Sequence, residues 1–481
     1  MALSKEDQEL KKLLESCNPT EAQKLEIYSE VFKDQFGQFA GSTRAKVKGI
    51  NEHDLYILGE TLAEQKRLQL AEGNSFSQLG ILPNIALDVL TAVAGDSVIP
   101  YFASEQMLPD LQGTVYFEDV YATSARGNIQ EGDVLTRATG TPDKYPQGFA
   151  GEMVYNEECG TAKNDDADTE YEFTLAHVPV RPQFIKIRCG NLVATDDDKG
   201  NLIGNGIYGT IDYVTGAVVL KLATKVAEET KIYADYAQNF ELTELPSIQN
   251  KLNSKMIKAT TFALQTDTSV LNAEVMNRRF GLDMKKRAQT ILEEQILNEV
   301  TNDMLQKVVA GANEANVGLT QFNMTIPTGV SQQAHYQSVN YAFNVMSNKL
   351  AMASGKGEMP AMLASPKVCA FLATLPNFKV VGKISSFATV YGILDGQTVV
   401  IRCPQFTGSL DNLAFGMYKG QEAYDAAAVY APYMPLVSTL DIPVSERMLQ
   451  RRSAVCTLAG MDLVVPQYVQ KFGIVNSPYY A

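Results

Sequence analysis

The chain has 481 residues, of which 45% are hydrophobic and 20% charged, and its formal net charge is −14. This composition is typical of a globular protein with about two to four domains, and it excludes a disordered or fibrous chain. The acidic charge argues against sequence-independent binding to nucleic acid, because such binding requires clustered Lys and Arg residues.

Cysteine spacing and hydropathy predict a protein that is made and kept in reducing cytoplasm. The six cysteines lie far apart and form no CxxC pair, so neither a zinc ribbon nor a disulfide framework is indicated. The first residues, MALSKEDQELKK, contain no apolar signal segment. The most apolar stretch, ILPNIALDVLTAVAG, is interrupted by polar residues and is too short to span a bilayer. We therefore predict no membrane association.

Residues 1–72 differ in composition from the rest of the chain. Roughly a third of them are charged, with both signs mixed, and no strand pattern is present. Apolar residues recur at helical spacing, which predicts short amphipathic helices. This segment is typical of an arm or a removable piece rather than of a core.

The next part of the chain is apolar and then rich in strands. GTVYFEDVYAT alternates like a strand, and a Gly- and Asp-rich excursion follows through residue 165. The segments FIKIRC, GTIDYV, AVVLKL and KIYADYA then alternate with a period of two, separated by turns. We predict a compact β domain at 166–245.

Helices dominate after Pro246. A helix from about Asp283 to Val309 would be roughly 40 Å long, which suits a structural beam better than an enzyme. One apolar stripe runs along it: Ile291, Leu292, Ile296, Leu297, Val300, Met304, Leu305 and Val308. Glu293 and Glu294 fall on its other side and point in different directions, so no acid–base pair is indicated.

A strand-to-helix junction follows in the segment AMLASPKVCAFLATL. Ser365 is predicted to cap the helix, and Pro366 suits its first turn. The remainder of the chain, from 378 to 475, reads mainly as strands.

Motifs that carry chemistry are weak in this sequence. GNGIYG (Gly204, Gly206 and Gly209) matches the dinucleotide fingerprint but precedes a strand, so we interpret it as a turn and predict no cofactor. TDDDKGN, which contains Asp196–Asp198, lacks the ligand spacing of a calcium loop and is interpreted as a solvated turn, without a metal. The three histidines have no partner at a nucleophile spacing. The sequence therefore predicts neither catalytic residues nor an enzyme.

The segment FGMYKGQEAYDAAAVYAPYMPLV, at 415–437, is strand-rich and contains four tyrosines. Tyr418, Tyr430 and Tyr433 have amphipathic rings that can pack on one side and donate a hydrogen bond on the other. Two interpretations stay open: they make contacts between subunits, or they fill the core of their own domain.

Several of these segments resemble one family. MYKG at 417–420, Asp425 and VYAPYMPL at 429–436 are similar to a glycine-containing strand that leads into a YAPY-type strand in the major capsid proteins of tailed bacteriophages. The long helix resembles the spine helix of that family, in its T-even-type myovirus branch, and MLASPKVCAFLATL resembles its strand, small cap residue and following helix. The resemblance covers most of 73–165 and 250–481.

The resemblance implies an α+β protein with the Hong Kong 97-type capsid fold and an inserted small all-β domain. The implied domains are a helical segment (1–72), an N-terminal arm (73–112), an extended loop (113–165), the inserted β domain (166–245), a P domain with the spine helix (246–355), an A domain (356–439) and C-terminal strands that return to the P domain (440–481). Residues 166–245 match no part of the capsid core and resemble β-rich modules inserted in phage structural proteins.

The resemblance also implies the partners of the chain. It would assemble with itself into hexamers and an icosahedral shell, beside scaffold, portal and decoration or auxiliary capsid proteins. The shell would enclose double-stranded DNA without sequence-specific contact. The chain would be found in the virion, and in the host cytoplasm during assembly.

Related capsid proteins lose an N-terminal segment to a maturation protease that cuts after a hydrophobic–x–Glu triplet. This chain offers Leu58-Gly59-Glu60 and Leu70-Ala71-Glu72, so Glu60 and Glu72 are the predicted cleavage positions. The alternative function is another phage virion protein, such as a tail or baseplate component, which the β-rich region favours and the spine helix does not.

Overall fold

The computed structural model describes part of the chain in two compact units. The described residues are 20–70, 91, 94–127, 129–135, 149–162, 169–223, 226, 229–354, 357–444 and 449–476. The smaller unit is Asp119–Lys251, and the larger unit combines Met1–Glu118 with Leu252–Ala481. Among the helices of these ranges, none is both long and apolar enough to cross a membrane.

Four helices form the N-terminal part of the larger unit: α1 (Glu21–Val31), α2 (Lys33–Ala40), α3 (Thr43–Lys48) and α4 (Glu52–Leu70). A capping box at Thr20 starts α1, because the Thr20 backbone N–H donates to the Gln23 side chain at 3.1 Å. Tyr28, Phe32, Phe39 and Leu62 are buried in a hydrophobic cluster that belongs to these helices. This segment therefore has a small core of its own.

The same unit also contains the helices α5 (Ile99–Phe102), α6 (Val270–Phe280), α7 (Met284–Glu314), α8 (Gln332–Gln337), α9 (Val339–Ser354) and α10 (Pro366–Leu372). The long helix α7 has 31 residues, so it is about 46 Å long and extends beyond the predicted end at Val309. Most of the predicted stripe is buried, but Ile291 is 53% exposed and Glu293 is fully buried. The predicted placement of these two residues was wrong, since the buried face near the N-terminal end of α7 is shifted around the helix and includes Gln289 and Glu293 instead of Ile291.

A seven-stranded sheet packs beside α9 and α10. In the order β13-β21-β18-β14-β17-β16-β15, its strands are β13 (Leu319–Asn323), β21 (Val469–Val475), β18 (Leu413–Met417), β14 (Ala361–Ala364), β17 (Thr398–Arg402), β16 (Thr389–Leu394) and β15 (Phe378–Val380). All four side chains of β14 are buried, as expected for a central strand. Ser365 follows it and caps α10, because its Oγ accepts from the Val368 N–H at 3.3 Å. The predicted junction is present.

A four-stranded sheet joins distant parts of the larger unit. It has the order β1-β19-β20-β12, with β1 (Ala103–Glu105), β19 (Ala428–Pro443), β20 (Gln450–Leu463) and β12 (Thr260–Ser269). The short strand β1 runs parallel to β19, and β12 runs antiparallel to β20. The apolar face of α7 joins one hydrophobic cluster with residues of both sheets.

The smaller unit is built from strands. Its eight-stranded sheet has the order β3-β10-β5-β6-β7-β8-β9-β4, with β3 (Met153–Ala162), β10 (Thr230–Ala237), β5 (Lys186–Cys189), β6 (Leu192–Asp196), β7 (Asn201–Gly204), β8 (Ile207–Ile211), β9 (Ala217–Leu222) and β4 (Thr169–Thr174). The sheet begins before residue 166, because β3 pairs with β10. The predicted boundary between an extended loop and a β domain therefore falls inside this unit. A separate two-stranded sheet pairs β2 (Gln112–Ala122) with β11 (Ile248–Lys258).

The glycine motif of the smaller unit is a turn between two strands. Gly204 ends β7, Gly206 has a φ of +76°, and Gly209 lies in β8. A Cβ atom on Gly209 would stand 2.2 Å from the Val219 carbonyl oxygen, so the close approach of β9 explains this glycine. The motif is not followed by a helix and therefore lacks the phosphate site of a dinucleotide fold.

Candidate functional site: the tyrosine segment and the helices docked beside it

Tyr418 lies in the core of the larger unit. Its hydroxyl donates to Asp425 Oδ2 at 3.1 Å, and its ring packs edge-on against Tyr468 with the centroids 5.4 Å apart. Burial, followed by the nearby Asp425 carboxylate, raises the pKa of Tyr418 to about 12. The hydroxyl therefore stays protonated at neutral pH, and its hydrogen bond to Asp425 stabilises the turn before β19.

Tyr430 and Tyr433 lie on β19 but differ in exposure. Tyr430 packs against the main hydrophobic cluster, and burial raises the pKa of its hydroxyl. Tyr433 is 37% exposed, beyond an irregularity of the strand at Pro432. Of the three tyrosines, Tyr433 is the most exposed, whereas Tyr418 and Tyr430 pack in the core.

The predicted cleavage position at Glu60 is folded and covered. The triplet Leu58-Gly59-Glu60 lies inside α4, where Leu58 is 3% exposed. A Cβ atom on Gly59 would come 2.4 Å from the Tyr28 ring, and Glu60 pairs with Lys24 at 2.6 Å. A protease would therefore have to unwind α4 to reach this bond. The other position, Glu72, lies outside the described residues.

Polar groups join the N-terminal helices to the strand region beside them. Arg44 of α3 pairs with Asp54 of α4 at 2.5 Å, and its Nη2 lies 4.0 Å from Glu105 Oε2 on β1. The His53 Nε2 atom is 3.2 Å from the Glu105 carbonyl oxygen. These contacts were missed by sequence reasoning, since Glu105 lies 52 positions after His53 and the four residues match no motif.

Lys419 completes this group of charges. It follows Tyr418 in the MYKG motif, and its ammonium donates to the Pro100 carbonyl at 2.5 Å. Burial, then the neighbouring Lys48, lowers the pKa of Lys419 to about 7, whereas Glu105 opposes the shift. Arg44 faces both nearby carboxylates, those of Asp54 and Glu105, so these charged groups form a contact between the N-terminal helices and β1.

Metal-ligating residues are not gathered in the described part of the chain. Within it, no group of three His, Cys, Asp or Glu side chains is placed to hold a metal ion. In the Asp196–Asp198 turn, Asp197 accepts from the backbone N–H groups of Lys199 and Asn201 at 2.9 and 3.0 Å. The carboxylate therefore stabilises its own turn.

Comparison with known proteins identifies the family. The family model described as "Major capsid protein Gp23" matches residues 138–469, which is more than half of the chain. A comparison with curated proteins gives no match.

Three solved phage capsids are similar at low identity. The capsid of Myoviridae phage XM1 is 9% identical over 70% of this chain and 96% of that chain, with a TM-score of 0.32. The jumbo bacteriophage PhiKZ capsid is 10% identical over 76% of this chain and 70% of that chain, with a TM-score of 0.33. The capsid of cyanophage P-SCSP1u is 11% identical over 70% and 96%, also with a TM-score of 0.33. These values are too low to add to the family match, which alone establishes that the chain belongs to the Gp23 family of phage major capsid proteins.

Proposed function

We propose that this major capsid protein assembles into hexamers and an icosahedral shell that encloses the double-stranded DNA of a tailed bacteriophage. The observation that carries the proposal is the family match over residues 138–469. The α+β architecture, with the long helix α7 at its centre, is in keeping with the Hong Kong 97-type capsid fold of that family. A shell protein acts through contacts rather than through catalysis, so we assign no enzymatic activity to it.

Exposed apolar side chains on one strand and one helix support the proposal that the chain assembles with other copies of itself. Six of them, each more than half exposed, lie on β11 and α6: Ile248, Leu252, Met256, Leu271, Val275 and Phe280. No side chain of α6 is buried. Apolar surface of this kind marks sites of protein association. We assign these two elements, together with Tyr433, to contacts with neighbouring subunits.

The charge of the chain supports enclosure of DNA without tight binding. Residues 119–251 contain 21 of the 55 acidic residues but only 12 of the 41 basic residues, so the smaller unit carries −9 of the net charge of −14. The larger unit is closer to neutrality, and sequence-independent DNA binding needs an excess of cations. Scaffold, portal and decoration proteins complete the proposed set of partners, in the host cytoplasm during assembly and in the finished virion.

Maturation cleavage after Glu72 is the part of the proposal that concerns the N-terminal helices. Glu60 is the weaker position, because Leu58 and Gly59 are packed against α1. Mass spectrometry of mature virions tests this: an N-terminus at Gly73 supports the cut, and an intact Met1 overturns it. The domain limits given above, including an inserted β domain, belong to the same proposal.

Negative-stain electron microscopy tests the main proposal. The full-length protein is expressed alone and together with its phage neighbours, and closed or partial shells are expected. A tail or baseplate component, the alternative, would give tubes or small rings. Monomers that persist in both preparations would overturn assembly as the function.

A further inference from the structure

The N-terminal helices meet the rest of their unit through charged groups. We call residues 20–70 the helical plug, and the surface formed by Pro100, Glu105, Lys419 and Leu436 its seat. Across this contact, Lys48 of α3 donates to the Pro100 carbonyl at 3.2 Å, and Lys419 of the seat donates to the same oxygen at 2.5 Å. Two ammonium groups thus converge on one neutral carbonyl.

The ion pair beside these lysines is incompletely satisfied. Arg44 and Asp54 are 5% and 6% exposed and pair with each other. Among the described residues, Arg44 Nε and Asp54 Oδ2 have no hydrogen-bond partner. Buried charges that are only partly paired weaken an interface, because their desolvation is not fully offset.

Among the described residues, few apolar side chains link the core of the plug to the rest of the unit. Val47 touches the main hydrophobic cluster, and Ala94 and Leu436 touch the cluster of the plug. The large buried rings of the plug, Tyr28, Phe32 and Phe39, belong to a cluster of their own. Permanent interfaces resemble a domain core and are depleted in charge, so this contact has the character of a transient one.

We propose that the helical plug docks reversibly on its seat, and that the two ammonium groups of Lys419 and Lys48, which meet at the Pro100 carbonyl, keep this docking weak at neutral pH. The plug can leave as a folded piece because its aromatic core stays with it. This device is separate from shell assembly, and it operates in the uncut chain as well as in a cut one.

The proposal fixes the direction of a pH dependence. Docking holds the pKa of Lys419 near 7, whereas a solvated lysine has a pKa of about 10.4. Between these values the undocked state binds more protons, so docking strengthens as the pH rises from 7 toward 10 and changes little below 7. The charged groups that face Lys419 are Lys48, Arg44, Asp54 and Glu105. His53 Nε2 also contacts the Glu105 carbonyl oxygen, at 3.2 Å.

The test separates the plug from its seat by a single cut. A recognition sequence for a site-specific protease is inserted after Gly73 in the full-length protein, which is then cut and diluted at pH 7. Size-exclusion chromatography and mass spectrometry measure how much of the N-terminal fragment stays bound. The wild-type fragment is expected to dissociate, and in Lys419→Met it is expected to stay bound about tenfold longer or more, because the buried charge is gone. Raising the pH from 7 to 9 should prolong wild-type binding by about tenfold or more and leave Lys419→Met unchanged.

Two further variants keep the result interpretable. Lys379→Met removes an exposed lysine of β15 and should release the fragment as wild type does. Lys48→Met removes the second ammonium at Pro100 and should also prolong binding, which decides the question if Lys419→Met fails to fold. The proposal is overturned if folded Lys419→Met releases the fragment as fast as wild type, if wild type never releases it, or if wild-type release does not slow between pH 7 and 9. None of these outcomes bears on shell formation, which electron microscopy tests separately.

Discussion

The two compact units differ in how far apart in the chain their paired strands lie. In the smaller unit, β5 to β9 pair in chain order through short turns, so most partners are near in sequence. In the larger unit, Thr260 pairs with Ala459 and Ala103 pairs with Ala428. The smaller core therefore depends on local hairpins, whereas the larger core exists only when segments from both ends of the chain meet. Substitutions should accordingly spread their effects further in the larger unit.

The largest effect is expected from Phe472→Ala in the larger unit. Phe472 is fully buried on β21, and its ring centroid lies 4.6 Å from that of Phe343 on α9. Removing the ring should cost about 3–5 kcal/mol of unfolding free energy, through lost burial and the cavity left behind. Hydrogen exchange followed by mass spectrometry should show faster exchange in β13, β18 and α9 together.

A matched substitution in the smaller unit sharpens the contrast. Ile187 is fully buried on β5, so Ile187→Ala should cost about 2–5 kcal/mol. Its faster exchange should be confined to the eight-stranded sheet. If Phe472→Ala accelerated exchange in β21 alone, the claim that distant segments share one core would be wrong.

The stability of the larger unit should depend on pH because of one buried carboxyl group. Glu293 is fully buried on α7 with Gln289 donating to it at 2.6 Å, and burial raises its pKa to about 8 while that hydrogen bond opposes the shift. A carboxyl group whose folded pKa is raised favours the folded state at low pH. This stability is lost as the pH rises from about 4.5 toward 8, by up to roughly 3 kcal/mol between pH 5 and 7.5.

Chemical denaturation at several pH values measures this loss. Glu293→Gln should flatten the profile and stabilise the larger unit at pH 7.5, since a neutral amide replaces a buried acid. Glu294→Gln, at the exposed neighbouring position, should leave the profile unchanged. A wild-type unit that is equally stable at pH 5 and 7.5 would contradict a buried, protonated Glu293.

Sequence patterns predicted the local features of both units and missed the long-range ones. The strand alternation of residues 186–237, the long helix and the Ser365 junction are visible because each depends on neighbouring residues. Glu293 was wrongly predicted to be exposed. The apolar stripe indicates which side of α7 is hydrophobic, but it does not indicate which neighbouring elements cover the residues beside the stripe. The charges around Lys419 were missed for the same reason: Arg44, Glu105 and Lys419 meet only through the tertiary fold.

The glycine motif of the smaller unit tests how tightly its hairpins pack. In Gly204→Ala, the new Cβ atom would stand 2.0 Å from the Val193 carbonyl oxygen on β6. The strands must separate to accept it, at a cost of about 1–3 kcal/mol. Gly206→Ala introduces backbone strain, because the φ of Gly206 is +76°, and this strain should cost about 1–2 kcal/mol. Thermal unfolding of the two variants ranks them, and equal or reversed effects would mean that the turn, not strand packing, requires the motif.

The smallest effect is expected at the junction between β14 and α10 in the larger unit, where the helix cap is formed by residues close in sequence. Ser365 Oγ accepts from the Val368 N–H at 3.3 Å and donates to the Asp411 carbonyl at 2.5 Å. Ser365→Ala should cost about 1–2 kcal/mol, because it removes a helix cap and leaves the partly buried Asp411 carbonyl with one bond fewer. Ser331 caps α8 on the exposed surface, where its Oγ accepts from the Ala334 N–H, and among the described residues no second side-chain bond is present, so Ser331→Ala should cost about 0.5–1 kcal/mol. Denaturant unfolding measures both, and equal losses would show that the distant Asp411 contact adds nothing to the local cap.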